Sequence, residues 1–452
     1  MPLYLVRTFD TGHQNYVGNE FNNWFHKDKH YALELLGSGA RMSYLLGFFE
    51  LIVFAFILYF GALSQVVGVD IGTPYGPISI GILVFLVRWW LLGSLGGILV
   101  KVLLADGYFK QTVYLGLLQK GFEIVVLLLG ALLKWTILEV CIYFSLAELL
   151  SSLIVYAFFW QKMPEFFYWW KSGSWRLGWK NFMLSLALTY HSVLEQFNSN
   201  GTIVLISNFI SAATVPIFTT IRTITNTVTQ LTNLILNPLT PELIRYHSKT
   251  EGSKITDVMA ANWLVSGLLV NLPLLALTPA VGYLYQLWTQ QQLEFDTKLF
   301  AWLAVGVTLG NFGRSFCVYL TGINHLKSIF LMSSVRFALV FSLSFYLLPS
   351  LGLSGLGLAI MLGEIFSSVF IPWYFTASEL AKMAVKINSR SWQLALFSTL
   401  STVVALLASI YFPQYLIFFI SFSVGVVVLS AFLQWRYLPA SVKEKISFQR
   451  FT

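Results

Sequence analysis

The sequence predicts an all-α polytopic membrane protein. About twelve transmembrane helices should form two parallel, pseudo-repeated helical lobes around a central cavity, followed by two additional C-terminal helices. Three observations predict this: a composition too apolar for water, a series of hydrophobic runs of similar length, and basic residues confined to one side. Of 452 residues, 57% are hydrophobic and 11% charged, against about 25% charged in an ordinary soluble domain. Mean hydropathy is +0.71. Cys141 and Cys317 lie far apart inside apolar segments, which reads as two buried thiols and no disulfide framework.

Apolar runs of about 20 residues, enough to cross a bilayer, fall near 43–66, 76–99, 113–133, 136–159, 181–206, 212–240, 262–288, 297–320, 326–348, 353–377, 391–411 and 414–435. An even number returns the chain to its starting side. With that side cytoplasmic, 21 lysines and arginines, from Arg7 to Arg450, lie inside, and only Lys134 and Lys298 lie outside. The positive-inside rule then predicts a multi-pass protein of the inner (cytoplasmic) cell membrane with both termini in the cytoplasm. The net charge of +8 is thereby orientation signal, and no nucleic-acid partner is expected. The longest outside loops, around 67–75 and 289–296, are too short to fold alone. The chain has no GxxxxGK[ST] phosphate loop and no Asp-x-Asp pair, so neither ATP hydrolysis nor metal-dependent sugar transfer has visible equipment. No cofactor, metal site or enzyme activity is expected.

The two halves repeat. Ala147-Glu148-Leu149-Leu150-Ser151-Ser152-Leu153 matches Gly363-Glu364-Ile365-Phe366-Ser367-Ser368-Val369, and Phe109-Lys110 matches Leu326-Lys327. Glu20-Phe21 matches Glu242-Leu243 in the same order. Three matches in sequence indicate parallel lobes related by an axis along the membrane normal. The expected division is an N-lobe at 1–160, an inter-lobe cytoplasmic loop at 161–180, a C-lobe at 181–378, and two more helices with a basic tail at 379–452. Residue 1 then corresponds to about residue 220. The first lobe is expected to lack roughly forty residues, one helix and the start of a second.

A family resemblance rests on FDTGHQNYVGNEF at 9–21, FNSNGTIVLISNFISAATVPIFTTIRTITN at 197–226, NPLTPEL at 237–243 and GLSGLGLAI at 352–360. With the six-six-two helix plan, these resemble the multidrug/oligosaccharidyl-lipid/polysaccharide (MOP) exporter superfamily, and within it the O-antigen (Wzx-type) polysaccharide flippases. The resemblance implies translocation of lipid-linked (polyprenyl-diphosphate) oligosaccharide by alternating access, in lipopolysaccharide or other polysaccharide biosynthesis. Membrane lipids, a coupling cation (H+ or Na+) and polysaccharide-assembly proteins are the further partners expected. A drug exporter of the same fold should instead show a carboxylate-rich cavity. A membrane-embedded glycosyltransferase or polymerase should carry a large catalytic loop.

Charges inside the spans are the candidate site residues. Arg336 and Glu364 lie equally far from the turn near Ser350, as Lys120 and Glu148 do from Lys134, which reads as one structural ion pair per lobe. Glu195 and Arg222 flank the turn near Asn208 in the same way and form a third candidate pair, which, lying among polar neighbours, is expected to belong to the substrate site and not to the scaffold. In TTIRTITNTVTQLTNLILNPLTP, Arg222, Asn226, Gln230, Asn233 and Asn237 recur every three or four residues, a polar stripe about 22 Å long on one helix face. That stripe, with Tyr190, is expected to line the cavity and bind sugar hydroxyls. Arg88 and Arg314 have no obvious partner at this stage. With Arg222 they are expected to clamp the diphosphate through guanidinium forks.

Overall fold

The computed structural model describes residues 2–60, 76–236, 239–439 and 443. Every regular element among them is helical. The main helices are α1 (Pro2–Phe25), α2 (Lys29–Tyr59), α3 (Pro77–Ala105), α4 (Phe109–Leu132), α5 (Ile137–Lys162) and α6 (Trp175–Gln196). After them come α7 (Thr202–Phe209), α8 (Val215–Leu236), α9 (Leu239–Ser248), α10 (Gly252–Leu277), α11 (Val281–Trp288) and α12 (Thr297–Gly322). The chain finishes with α13 (Leu326–Leu351), α14 (Leu353–Lys382), α15 (Ser389–Tyr411) and α16 (Leu416–Tyr437). Each of the twelve apolar runs coincides mainly with helix; the end of the first, the 67–75 loop, and residues 237–238 of the sixth lie outside the described residues. Among the described residues, ten helices are long and apolar enough to cross a membrane. The two runs that miss this standard, at α6–α7 and α8, are the polar ones.

Helix limits move where the termini carry better signals than the hydropathy does. α2 starts fourteen residues before its apolar run because Asp28 caps it, accepting from His30 N at 3.0 Å and Tyr31 N at 3.1 Å. Residues 29–42 contain no proline to stop it. Thr136 and Glu139 close a reciprocal capping box at the head of α5. The FDTGHQNYVGNEF stretch lies within the 24-residue α1.

Four helices are interrupted by π turns, at Trp89–Gly93, Phe197–Gly201, Gly267–Asn271 and Ile365–Phe370. Each inserts a wider turn that leaves carbonyls off the regular ladder. Three follow directly on charged or polar chemistry: Arg88 precedes the first, Glu195-Gln196 the second and Glu364 the fourth.

Contacts divide the chain into two compact units, Met1–Val193 and Leu194–Thr452. The boundary falls inside α6. Residues 181–193 group with the first unit because this part of α6 packs tightly on α1. A Cβ on Gly12 would stand 2.2 Å from Thr189 Oγ1. His13 lies beside Ser185 and Gly39, its ring nitrogens 3.5 Å from Ser185 Oγ and 3.2 Å from Gly39 O. The core of unit 1 is apolar, around Val17, Phe21, Leu99 and Phe159. Unit 2 has two larger clusters, one around Phe218, Tyr285 and Phe300 and one around Trp263, Phe316 and Tyr319. Cys141 and Cys317 are both free and half-buried, less enclosed than expected. Cys317 Sγ lies 3.7 Å from Ser368 O.

Candidate functional site

Unit 2 places an arginine between two carboxylates. Arg336, on α13, donates Nη1 to both oxygens of Glu195 at 3.1 and 3.0 Å. Its Nη2 pairs with Glu364. The other Glu364 oxygen accepts from Ser368 Oγ at 2.6 Å. α12 gives Glu364 room by offering glycine: a Cβ on Gly310 would come within 3.2 Å of Oε2. The equal-depth argument for Arg336 and Glu364 thus describes a contact that the structure contains. The expected Glu195–Arg222 pair does not form. Glu195 instead takes Arg336 Nη1 between its two oxygens, an ion pair from α13 that leaves Arg222 without it.

Arg222 turns elsewhere. Its Nη1 donates to Ser199 O at 2.9 Å and approaches Thr202 Oγ1 at 3.4 Å, and the guanidinium stands 5.6 Å from the Phe218 ring centroid. Ser199 lies in the π turn that follows Glu195, where its carbonyl is open to an outside donor. Arg314 has a buried Nε with no hydrogen-bond partner and lies within electrostatic reach of Glu364. Neither Arg222 nor Arg314 makes an ion pair among the described residues.

The polar stripe on α8 divides into two kinds of residue. Its threonines satisfy themselves against their own helix: Thr219 bonds Val215 O at 3.0 Å, Thr223 bonds Thr219 O at 2.8 Å, and Thr227 bonds Thr223 O at 2.8 Å. Thr220 also reaches Tyr285 Oη at 2.9 Å. The amides behave otherwise. Asn226 and Gln230 are exposed, and Asn233 is half-buried with Oδ1 unpaired. Asn237 lies outside the described residues. Tyr190, on α6, is half-buried within unit 1.

Unit 1 corrects two expectations. Glu148 pairs with Arg88, not with Lys120. Arg88 is therefore no open clamp: it is 4% exposed, and its guanidinium lies 4.9 Å from the Phe85 ring and 5.7 Å from the Trp89 ring. A two-helix depth argument could not count α3, the third helix, which brings Arg88 to Glu148. Lys120 instead takes Glu123, one turn along α4, at 2.6 Å, and leaves its side chain 68% exposed. Gln119 Nε2 supplies Glu148 with a long contact at 3.5 Å.

A second polar cluster in unit 1 escaped the sequence reading. Asp10 Oδ2 accepts from Gln14 Nε2 at 2.7 Å. The Glu50 carboxyl stands within electrostatic reach of Asp10, and the Ser43 and Ser94 side chains stand beside it. Asp10 Oδ1 and both Glu50 oxygens are buried without a well-formed hydrogen bond, although the Ser43, Ser94 and Trp89 side chains lie within reach of the Asp10 carboxyl and the Asp10 backbone within reach of Glu50. Orphaned buried oxygens in one neighbourhood require an explanation such as an ion or water. The signal was present in the sequence as Asp10, His13 and Gln14 at helical spacing, with Glu50 in an apolar run.

No protein-family model and no curated protein sequence matches the chain. Solved structures do. A MATE transporter of Vibrio cholerae in its bent form aligns with TM-score 0.69 at 14% identity, over 85% of this chain and 87% of that one. An outward-facing multidrug resistance MATE family transporter of the MOP superfamily aligns at 0.66 and 13%, over 85% and 86%. A MOP superfamily transporter from Pyrococcus furiosus, described by a binding pocket of reversed polarity, aligns at 0.63 and 15%, over 85% and 87%. The chain has a MATE-like transporter fold.

Proposed function

We propose that this protein translocates a lipid-diphosphate-linked oligosaccharide across the cell membrane by alternating access. The observation that carries the reading is the state of the arginines in unit 2. Arg336 is fully engaged by Glu195 and Glu364 and acts as scaffold. Arg222 and Arg314 form no ion pair among the described residues, although the Glu364 carboxylate lies within electrostatic reach of both. Within a membrane protein such cations are costly unless an anion or water answers them, and a guanidinium fork suits a diphosphate. Asn226 and Gln230, exposed on the same helix as Arg222, offer donors and acceptors for sugar hydroxyls. This reading requires no covalent step: under it the protein acts as a transporter and not as an enzyme.

Arg222→Ala tests this. Loss of a charge-assisted contact of about 1.5–3 kcal/mol should slow export of the surface polysaccharide roughly 10- to 100-fold. Membrane insertion should be unchanged, because the two carboxylates near Arg222, Glu195 and Glu364, are both held by Arg336. Normal polysaccharide export by this variant would refute the assignment.

The Asp10–Glu50 cluster favours a second reading, an ion-coupled small-molecule exporter. Both readings use the cluster as the seat of a coupling cation, H+ or Na+. Asp10→Asn with Glu50→Gln should leave the purified protein unable to respond to an imposed H+ or Na+ gradient in proteoliposomes. Gradient-driven movement that survives both changes would remove the cluster from the mechanism. Dye or drug efflux that is retained in Arg222→Ala but lost in the Asp10/Glu50 variant would select the exporter.

A further inference from the structure

We infer that residues 160–180 form a fixed platform that binds anionic phospholipid headgroups. This segment was expected to be a loop, yet it is built. After α5 ends at Lys162 come a helical turn at Pro164–Phe167, a 3-10 turn at Trp169–Lys171 and the head of α6 at Trp175. Its inner side is locked onto α2. Arg41 donates Nη1 to Gly173 O at 2.6 Å and Nη2 to Trp170 O at 3.3 Å. Ser174 N donates to Ser38 Oγ at 2.9 Å. Gly37 permits this approach, since a Cβ there would stand 2.2 Å from Ser172 O. Met163, Phe166 and Trp169 are buried beneath.

The outer side has the opposite character. Trp160, Tyr168, Trp170, Trp175 and Trp179 are between 43% and 59% exposed. Interleaved with them, Lys162, Lys171, Arg176 and Lys180 are all exposed. The one acid of the segment, Glu165, is met by Lys29 at 3.3 Å. An aqueous linker gains nothing by holding five large rings rigidly in solvent. At the end of two long helices the rings fit the headgroup level of a bilayer, where tryptophan and tyrosine concentrate. The ammonium and guanidinium groups then meet lipid phosphates, and their unbalanced charge selects lipids with a net negative headgroup. The inference does not depend on what cargo the protein carries.

The test uses the purified full chain in nanodiscs of phosphatidylcholine with increasing phosphatidylglycerol, followed by native mass spectrometry of the lipids retained on release. The wild-type protein should retain phosphatidylglycerol in preference to phosphatidylcholine. Neutralising Lys162, Lys171, Arg176 and Lys180 to glutamine should lower that preference about fivefold for each residue changed. The preference should collapse near 1 M salt, where screening acts within about 3 Å. Trp170→Leu with Trp175→Leu should weaken both lipids alike. These side chains face outward, so size-exclusion profiles should match the wild type and confirm folding. Equal retention of the two lipids by the wild type would overturn the inference. So would unchanged preference in the four-site variant, or tighter binding of a soluble acidic peptide than of phosphatidylglycerol vesicles.

Discussion

Arg336→Met should lower the stability of the detergent-solubilised protein by about 3–5 kcal/mol, the usual cost of removing one partner from a buried ion pair. The expectation follows from how completely the guanidinium is used. Its two Nη atoms serve Glu195 and Glu364, and those side chains are only 32% and 16% exposed. Methionine fills a similar volume but leaves two carboxylates facing each other with nothing between them. The damage should be local to charge and not to packing. The triple variant Arg336→Met/Glu195→Gln/Glu364→Gln should therefore recover most of the loss, because an isosteric neutral set is often as stable as the ion pair it replaces. Thermal melting of the three proteins decides the matter. A single variant as stable as wild type would show that Arg336 is no scaffold.

Gly313→Ala should be nearly as damaging, by a different cause. A Cβ on Gly313 would sit 1.6 Å from Ser368 O, a backbone atom that cannot swing aside. The methyl must push α12 from α14 at the point where the Ile365–Phe370 π turn presents that carbonyl. A loss of about 3 kcal/mol is expected, the upper part of the usual overpacking range. Gly425→Ala, on α16, provides the control: nothing lies within 4 Å of its Cβ position. There the substitution should be neutral or stabilise by up to about 1 kcal/mol, since alanine favours helix. If both variants melt together, the close approach of α12 and α14 is not as described.

The class of fold was legible because the bilayer imposes one requirement, an apolar run of fixed length, and this chain meets it repeatedly. Helix starts were less legible. The head of α2 is set by Asp28 accepting two backbone N–H groups, a local signal that hydropathy does not register. The site was legible where two consecutive helices carry it. Arg336 and Glu364 share depth across one hairpin and do meet. The same reasoning placed Lys120 on Glu148 and failed, because Arg88 arrives from a helix outside that hairpin. The Asp10–Glu50 neighbourhood joins α1 and α2 with Ser94 of α3, and linear spacing carries no information on a three-helix meeting. On α8 the stripe was correctly seen as polar, yet its threonines bond their own carbonyls. That leaves the amides and Arg222 as the residues of the stripe not satisfied in this way.

The π turns have a consequence for how such a chain can vary. Each acts as a one-residue insertion, so the stretch after it is about 100° out of phase with the stretch before. Arg88 and Ser94, or Glu364 and Ser368, therefore stand at azimuths that no uninterrupted helix of this sequence would give them. Losing one residue at such a turn restores the regular ladder and leaves the stretch beyond it on the face it already presents. Changes of length by one residue, ordinarily ruinous within a membrane span, can be absorbed at these four places, because the turn takes up the difference and the side chains beyond it keep their aim.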